Sequence, residues 1–237
     1  MQPGPRAPRT RVAPFARCRG GTRRPSNARR CIATSVLGEH VVDIAGEPLS
    51  LPILPIDEER AIVLLNVLDH GVSFAARAGG ELARRVAPRC PDVVLGTATL
   101  GIPVAIEVSR ALGLDRYVIA QKSPKVYLSD PVAVALSSST TAGQPRLYID
   151  RRNAPLLQGR RVVVVDDVAA TGRSLAAAVS LARAAGGDVV AIAVVLTEGN
   201  AWREGLGEDD ASLLVRLGHI PQYAIRDGRL AVRPESE

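Results

Sequence analysis

The sequence predicts an α/β protein built on a doubly wound parallel sheet, and three observations carry that reading. The strand-like runs "VVLG", "RRVVVV" and "DVVAIAVVL" are almost continuously apolar, as strands are when both faces of their sheet are covered. Segments with a helical spacing of apolar residues lie between those runs. The helical segments stop at glycine, at Gly113 and at Gly186-Gly187, where a left-handed residue closes a helix cheaply.

Residues 1–35 are rich in Pro, Gly and Arg and have no periodicity. Such a segment cannot bury enough apolar area to offset its ordering entropy, so it is expected to be a disordered tail, with 36–237 as the folded domain. From Val36 the texture changes. "HVVDIAG" and "LSLPILPI" read as short strands around Gly46-Glu47-Pro48. Asp57 is expected to cap a helix with Glu58 and Glu59 in its first turn and Ile62, Leu65 and Leu68 on one face. A helix over residues 73–87 follows, then the strand "VVLG", a helix over 102–112 and the strand "RYVIAQ". "VAVALSSS" and "PRLYI" read as paired strands about the polar turn "TTAGQ". "RRVVVVDD" is a central strand, a helix spans 173–185, and "DVVAIAVVL" is the last clear core strand.

Composition narrows the function classes. The chain has 237 residues, is 46% hydrophobic and only 3% aromatic, so Val, Leu, Ile and Ala must build the core. Its net charge of +6 belongs to the tail. Residues 1–38 hold nine of the 30 basic residues and no acid, which leaves 21 bases against 24 acids from Glu39 onward. The folded part therefore lacks the basic stripe of a nucleic-acid binder, and a nucleic-acid partner is not expected. The Arg-rich, acid-free tail reads as a solvated extension from an upstream start, an organelle transit peptide or, with only Phe15 among its arginines, a weak nucleic-acid arm. Cys18, Cys31 and Cys90 are odd in number and have no paired spacing, which argues against a disulfide framework or a zinc site and fits a cytoplasmic compartment. No apolar run approaches the length of a membrane span. His40, His70 and His219 are scattered, and His219 and Tyr223 read as packing or surface residues.

The stretch "VVVVDDVAATGRS", Val162 to Ser174, combines features that rarely meet. A buried strand ends in two carboxylates, and a short loop then opens a helix. Carboxylates accept hydrogen bonds from vicinal hydroxyls or hold Mg²⁺. A helix start presents free N–H groups and a positive dipole end to an anion. Gly172 permits a turn that a Cβ resists, and Thr171, Arg173 and Ser174 add donors. The motif suits a sugar phosphate with free 2′ and 3′ hydroxyls, and its position beyond a strand's carboxyl end is where doubly wound folds bind ligands. A GxxxxGK[ST] loop, which a phosphate-hydrolysing reading would require, is not found.

These residues resemble the signature of the type I phosphoribosyltransferases, closest to the adenine and xanthine (purine) members. The resemblance implies the fold of that family, with a small hood over about residues 200–237, where "LGHIPQYAI" lies. It implies that 5-phosphoribosyl-1-pyrophosphate (PRPP) is bound, with Asp166 and Asp167 on the ribose and Ala170, Thr171, Gly172, Arg173 and Ser174 around the 5-phosphate. "VVLGTATLGIPVAIEVSRALG" is similar to the family's pyrophosphate loop and following helix, with Gly96, Thr97, Ala98 and Thr99 offering backbone amides. "RYVIAQKSPKVYLSD" resembles the strand leading into its mobile loop, with Lys122 and Lys125 near the leaving group, unless both are ordinary solvated charges. By the same resemblance, the cofactor is Mg²⁺, held through PRPP with Asp166 or Asp167 as the candidate protein ligand, the acceptor is a nucleobase, and the assembly is a homodimer. Ala170 stands where hypoxanthine-guanine members carry an acid, as in adenine-type members. The mobile loop offers Asp130 and no Glu, which leaves the proton-handling residue open. The implied activity is purine salvage, with Asp166, Asp167 and Lys122 as the catalytic groups. The alternative is a non-catalytic PRPP-sensing regulator of the same fold.

Overall fold

A computed structural model describes residues 36–124, 131–135 and 146–237. The tail, Cys18, Cys31, Lys125, Asp130 and the turn "TTAGQ" lie outside the described residues.

The chain opens with a hairpin, β1 (Gly38–Ile44) and β2 (Glu47–Pro55), paired so that Ile44 faces Glu47. Ala45 and Gly46 both have positive φ, 58° and 85°, as a two-residue hairpin turn with the right twist requires. The Gly46 N–H donates to Asp43 Oδ1 at 3.0 Å. The helix expected at Asp57 does not form. Asp57 Oδ1 instead accepts from the N–H groups of Glu59 (3.0 Å) and Arg60 (2.8 Å), closing a turn into β3 (Arg60–Val63), which pairs with β2. An Asp side chain satisfies turn amides as readily as helix-start amides. The apolar pattern that wins has period two: Ala61, Val63 and Leu65 are buried, while Leu68 is exposed.

A single 3₁₀ turn, Val67–His70, leads into α1 (Gly71–Val86). Then come β4 (Val93–Thr97), α2 (Gly101–Ala111), β5 (Tyr117–Ala120), and the antiparallel pair β6 (Val132–Ala135) and β7 (Arg146–Ile149). After β8 (Arg161–Ala169), α3 (Arg173–Ala184) and β9 (Asp188–Glu198), two short helices, α4 (Ala201–Leu206) and α5 (Glu208–Ser212), precede β10 (Leu214–Ile220), β11 (Tyr223–Arg226) and β12 (Arg229–Val232).

β4, β5, β8, β9 and β10 form one parallel sheet in the order β10-β9-β8-β4-β5. Side chains alternate between its faces, and both faces are covered. Val163, Val165, Ala191 and Ala193 join the cluster that holds α1 and α2. Val162, Val164, Ile192 and Val194 join the one that holds α3 and β7. This is why the strands read as unbroken apolar runs. Leu95, at the centre of β4, is fully buried. Leu95→Ala is therefore expected to cost about 2–5 kcal/mol, seen as a lower urea midpoint at unchanged m.

A second sheet, β1-β2-β3-β11-β12, is antiparallel. The 200–237 segment expected as a hood therefore divides. Its β10 completes the parallel sheet, and only β11 and β12 join the second sheet, most of which is N-terminal. β10 reads weakly in sequence because it is a half-buried edge strand carrying Arg216 and His219. No helix among the described residues is long and apolar enough to cross a membrane.

Candidate active site

The chain reverses direction across the parallel sheet between β4 and β8. It leaves β4 toward β5 on one side and leaves β8 toward β9 and β10 on the other. The carboxyl ends of two such strands diverge and leave a crevice. Asp166 and Asp167 stand at the β8 side of that crevice, and Thr97 and α2 stand at the β4 side.

Asp166 is 6% exposed. Its Oδ1 accepts the N–H of Asp167 at 3.0 Å. Burial pushes its carboxyl well above the usual carboxylate range, and the charge of Asp167 and a hydrogen bond to that side chain push the same way. Thr97 Oγ1 lies beside it and draws in the other direction, yet this buried hydroxyl makes no hydrogen bond of proper geometry. A carboxyl group held against its own ionisation in this way suits hydroxyl donors or a cation, either of which would relieve it. Gly101 begins α2 against this group. A Cβ there would sit 2.7 Å from Asp166 Oδ1 and 3.1 Å from Thr97 Oγ1.

The loop after β8 turns at Gly172, with φ +74°, into α3. The first intrahelical bond runs from Ala176 N–H to Gly172 O, so the N–H groups just before it point out of the helix start. α4 packs directly on this loop. A Cβ on Gly172 would lie 2.5 Å from Trp202 O, and one on Gly205 only 1.9 Å from Thr171 O. Two glycines thus allow backbone to meet backbone behind the start of α3.

One cleft of about 260 Å³ brings most of the expected residues together: Asp166, Asp167, Ala170, Thr171, Gly172 and Ser174, with Lys122 beyond β5. The exposed Arg173 does not line it. Residues 96–99, expected to offer amides, lie in β4 and just beyond its end. Gly96 and Thr97 are paired inside β4, and Ala98 N–H donates to Ala120 O at 2.9 Å. Of these four residues, only Thr99 is exposed; the Ala98–Thr99 peptide is cis. The glycine at 96 answers to packing, since a Cβ there would meet Ala105 Cβ at 2.6 Å.

Two parts of the cleft escaped the sequence reading. Ile62 to Leu65 form an apolar wall, and Glu198, 9% exposed, ends β9 inside it. Glu198 is the last residue of β9, the strand that pairs with β8. Burial pushes its carboxyl above the usual range, opposed by a hydrogen bond from Gln222 Nε2 at 3.3 Å. His219 is half-buried. Its Nδ1 is 2.9 Å from Thr197 Oγ1, and its Nε2 is 2.9 Å from Ser236 O. Among the described residues, no group of three or more His, Cys, Asp or Glu side chains converges as a metal cage.

A family model described as phosphoribosyl transferase domain matches residues 66–213. An adenine phosphoribosyltransferase of Rhodospirillum centenum is 33% identical over 130 residues, covering 55% of this chain and 72% of that protein. An orotate phosphoribosyltransferase of Listeria monocytogenes is 35% identical over 126 residues, 53% of this chain and about half (51%) of that protein. A transcriptional regulator, GfcR, of Methanocella arvoryzae is 30% identical over 129 residues, 54% of this chain and 56% of its own length. The crystal structure of adenine phosphoribosyltransferase from Thermoanaerobacter pseudethanolicus superposes with a TM-score of 0.54 at 20% identity, covering 66% of this chain and 86% of that one, and so shares the fold. The family match runs from just before α1 to the end of α5 and takes in both strands that flank the crevice, so this chain belongs to the phosphoribosyltransferase family.

Proposed function

We propose that the protein transfers the 5-phosphoribosyl group of PRPP to a purine-like base of the adenine type, releasing pyrophosphate. The observation that carries this reading is the joining of an acidic doublet and a helix-start amide cup in one cleft. The doublet suits the ribose 2′ and 3′ hydroxyls and the cup suits the 5-phosphate, at opposite ends of one activated pentose.

Mg²⁺ fits these residues in one mode only. With no cage of three ligands among the described side chains, the ion would arrive with PRPP, held by the pyrophosphate, its waters and one or both of Asp166 and Asp167. When bound, it supplies positive charge to the departing pyrophosphate. The chain's own residues do the remainder. Asp166 and Asp167 orient the ribose, the amides ahead of Ala176 hold the phosphate, and Lys122 offers a cation at the leaving-group side. As the bond from C1 to the pyrophosphate oxygen breaks, the ribose becomes oxocarbenium-like, and a ring nitrogen of the base attacks from the other face. Charge placed in advance and orientation are the sources of rate here. The adenine-type acceptor is supported by Ala170 and by the relatives named for adenine; the orotate relative is the counterweight.

The test is a panel of adenine, hypoxanthine, guanine, xanthine, uracil and orotate with PRPP and Mg²⁺, run on the full chain and on a chain lacking residues 1–35. Pyrophosphate release with adenine, retained without the tail, is the expected result. Release with orotate alone would overturn the purine assignment. PRPP binding with no turnover on any base, together with nucleic-acid affinity that needs the tail, would favour the regulator reading suggested by the GfcR relative.

A further inference from the structure

We infer that Glu198 reads an N–H donor on the edge of the acceptor base and thereby selects amino-bearing over oxo-bearing heterocycles. This rests on the transferase reading above and adds a specificity residue to it.

Glu198 is the last residue of β9, whose register sets Thr197 opposite Ala169. Its carboxyl therefore stands beside the start of the phosphate loop, in the same cleft as Asp166 and Asp167. Three facts decide what it faces. A carboxylate repels a phosphate or pyrophosphate, so in a cleft for a polyanion it serves the uncharged part of the ligand. It does not converge with the doublet as a three-carboxylate metal site among the described residues. And it shares the cleft with the apolar wall of Ile62 to Leu65. An apolar wall with one polar group suits a flat heterocycle that stacks by its face and is identified by its edge.

The group is also held in place. Gln222 N–H donates to Ser236 Oγ at 2.9 Å, and Gln222 Oε1 accepts from Arg233 at 3.4 Å. The amide is thereby turned so that its Nε2 donates to Glu198 Oε1 at 3.3 Å. One carboxyl oxygen is engaged, and Oε2 has no hydrogen-bond partner among the described residues. An ionised carboxylate only accepts hydrogen bonds. It rewards an exocyclic amine and sets lone pairs against lone pairs for a carbonyl at the same position, so one group both selects and rejects.

The test is Glu198→Gln. The new amide oxygen can still accept from Gln222, while its NH₂ replaces an acceptor by a donor at nearly constant shape. Calorimetry of PRPP, and of adenine and hypoxanthine, is compared for parent and variant. A charged hydrogen bond of this kind corresponds to about 10–100-fold in affinity. The expected result is adenine binding weakened by about that factor, hypoxanthine unchanged or tighter, and PRPP unchanged within about twofold. An unaltered adenine-to-hypoxanthine ratio with normal PRPP binding would overturn the role of Glu198 while leaving the transferase reading intact. A parent protein that binds no PRPP would overturn that reading and this inference with it. Equal loss of all three ligands would show that Glu198 serves the fold, and would also overturn the inference.

Discussion

Asp166→Asn is expected to melt higher than the parent at neutral pH, by about 2–6 °C, and to bind PRPP at least about 10-fold more weakly. The two effects share one cause. Burial and the charge of Asp167 raise the Asp166 carboxyl above its ordinary value in the folded chain. A group raised on folding contributes stability that is fully present below its unfolded value, about 3.9, and is lost as pH climbs through the folded one. At neutral pH the parent therefore carries a cost that an amide does not, and Asn can keep the bond that Oδ1 receives from Asp167 N–H. The gap in melting temperature between variant and parent should widen from pH 4 to pH 7. With Asp167→Asn added, the loss of PRPP affinity should reach about 100-fold or more, since both hydroxyl-gripping charges are gone. A double variant that binds PRPP as the parent does would remove the ribose assignment altogether.

Gly205→Ala should damage both fold and site through one added methyl. Its Cβ would lie 1.9 Å from Thr171 O and 3.0 Å from Thr171 C. Neither partner is a flexible side-chain tip, so α4 or the loop after β8 must move. Forced overpacking of this kind costs about 1–3 kcal/mol, or about 2–12 °C in a domain of this size. Two readouts separate displacement from a general loss of stability. Trp202 is the chain's single tryptophan, is 3% exposed, and donates its indole N–H to Gly199 O at 3.0 Å; its emission should shift to the red if α4 lifts. Ribose 5-phosphate, which needs the cup but not the pyrophosphate side, should bind more weakly. Unchanged emission and unchanged phosphate affinity would show that the close approach of α4 to the loop does not matter.

Much of the parallel sheet was legible because its signal is local and redundant. Val162 to Val165 must lie in a buried strand, since exposing four consecutive β-branched residues is costly, and Gly172 and Ser174 mark the helix start that follows. The acids that follow these valines lie in the carboxyl-terminal part of β8, toward the end where doubly wound sheets place ligands. The errors arose where one local pattern suits two structures. Asp57 with Ile62, Leu65 and Leu68 suits a capped helix. It equally suits a turn followed by a strand with Ala61 and Val63 inward, and pairing with β2 settled the choice. Gly96 and Ala98 stand in a loop-like string, "GTATLG", yet the strand runs through Thr97 and Ala98 still bonds to β5. Glu198 went unremarked because a single strand-final acid is an ordinary surface residue unless its strand neighbours the site.

What the sequence determined by itself was chemistry in order along the chain: a buried strand, two acids, a left-handed turn and a helix start, all encoded within 13 consecutive residues. Tertiary structure alone decided which distant residues share that space. Glu198 comes from the next strand of the sheet, the wall of Ile62 to Leu65 from the N-terminal sheet, and Gly205 from a helix packed behind the cup. The physical reason is range. Hydrogen bonding, turn geometry and helix capping act between residues a few positions apart and leave their mark in the local sequence. Burial and close backbone approach act between residues that only the completed packing brings together, and no short stretch of sequence carries them.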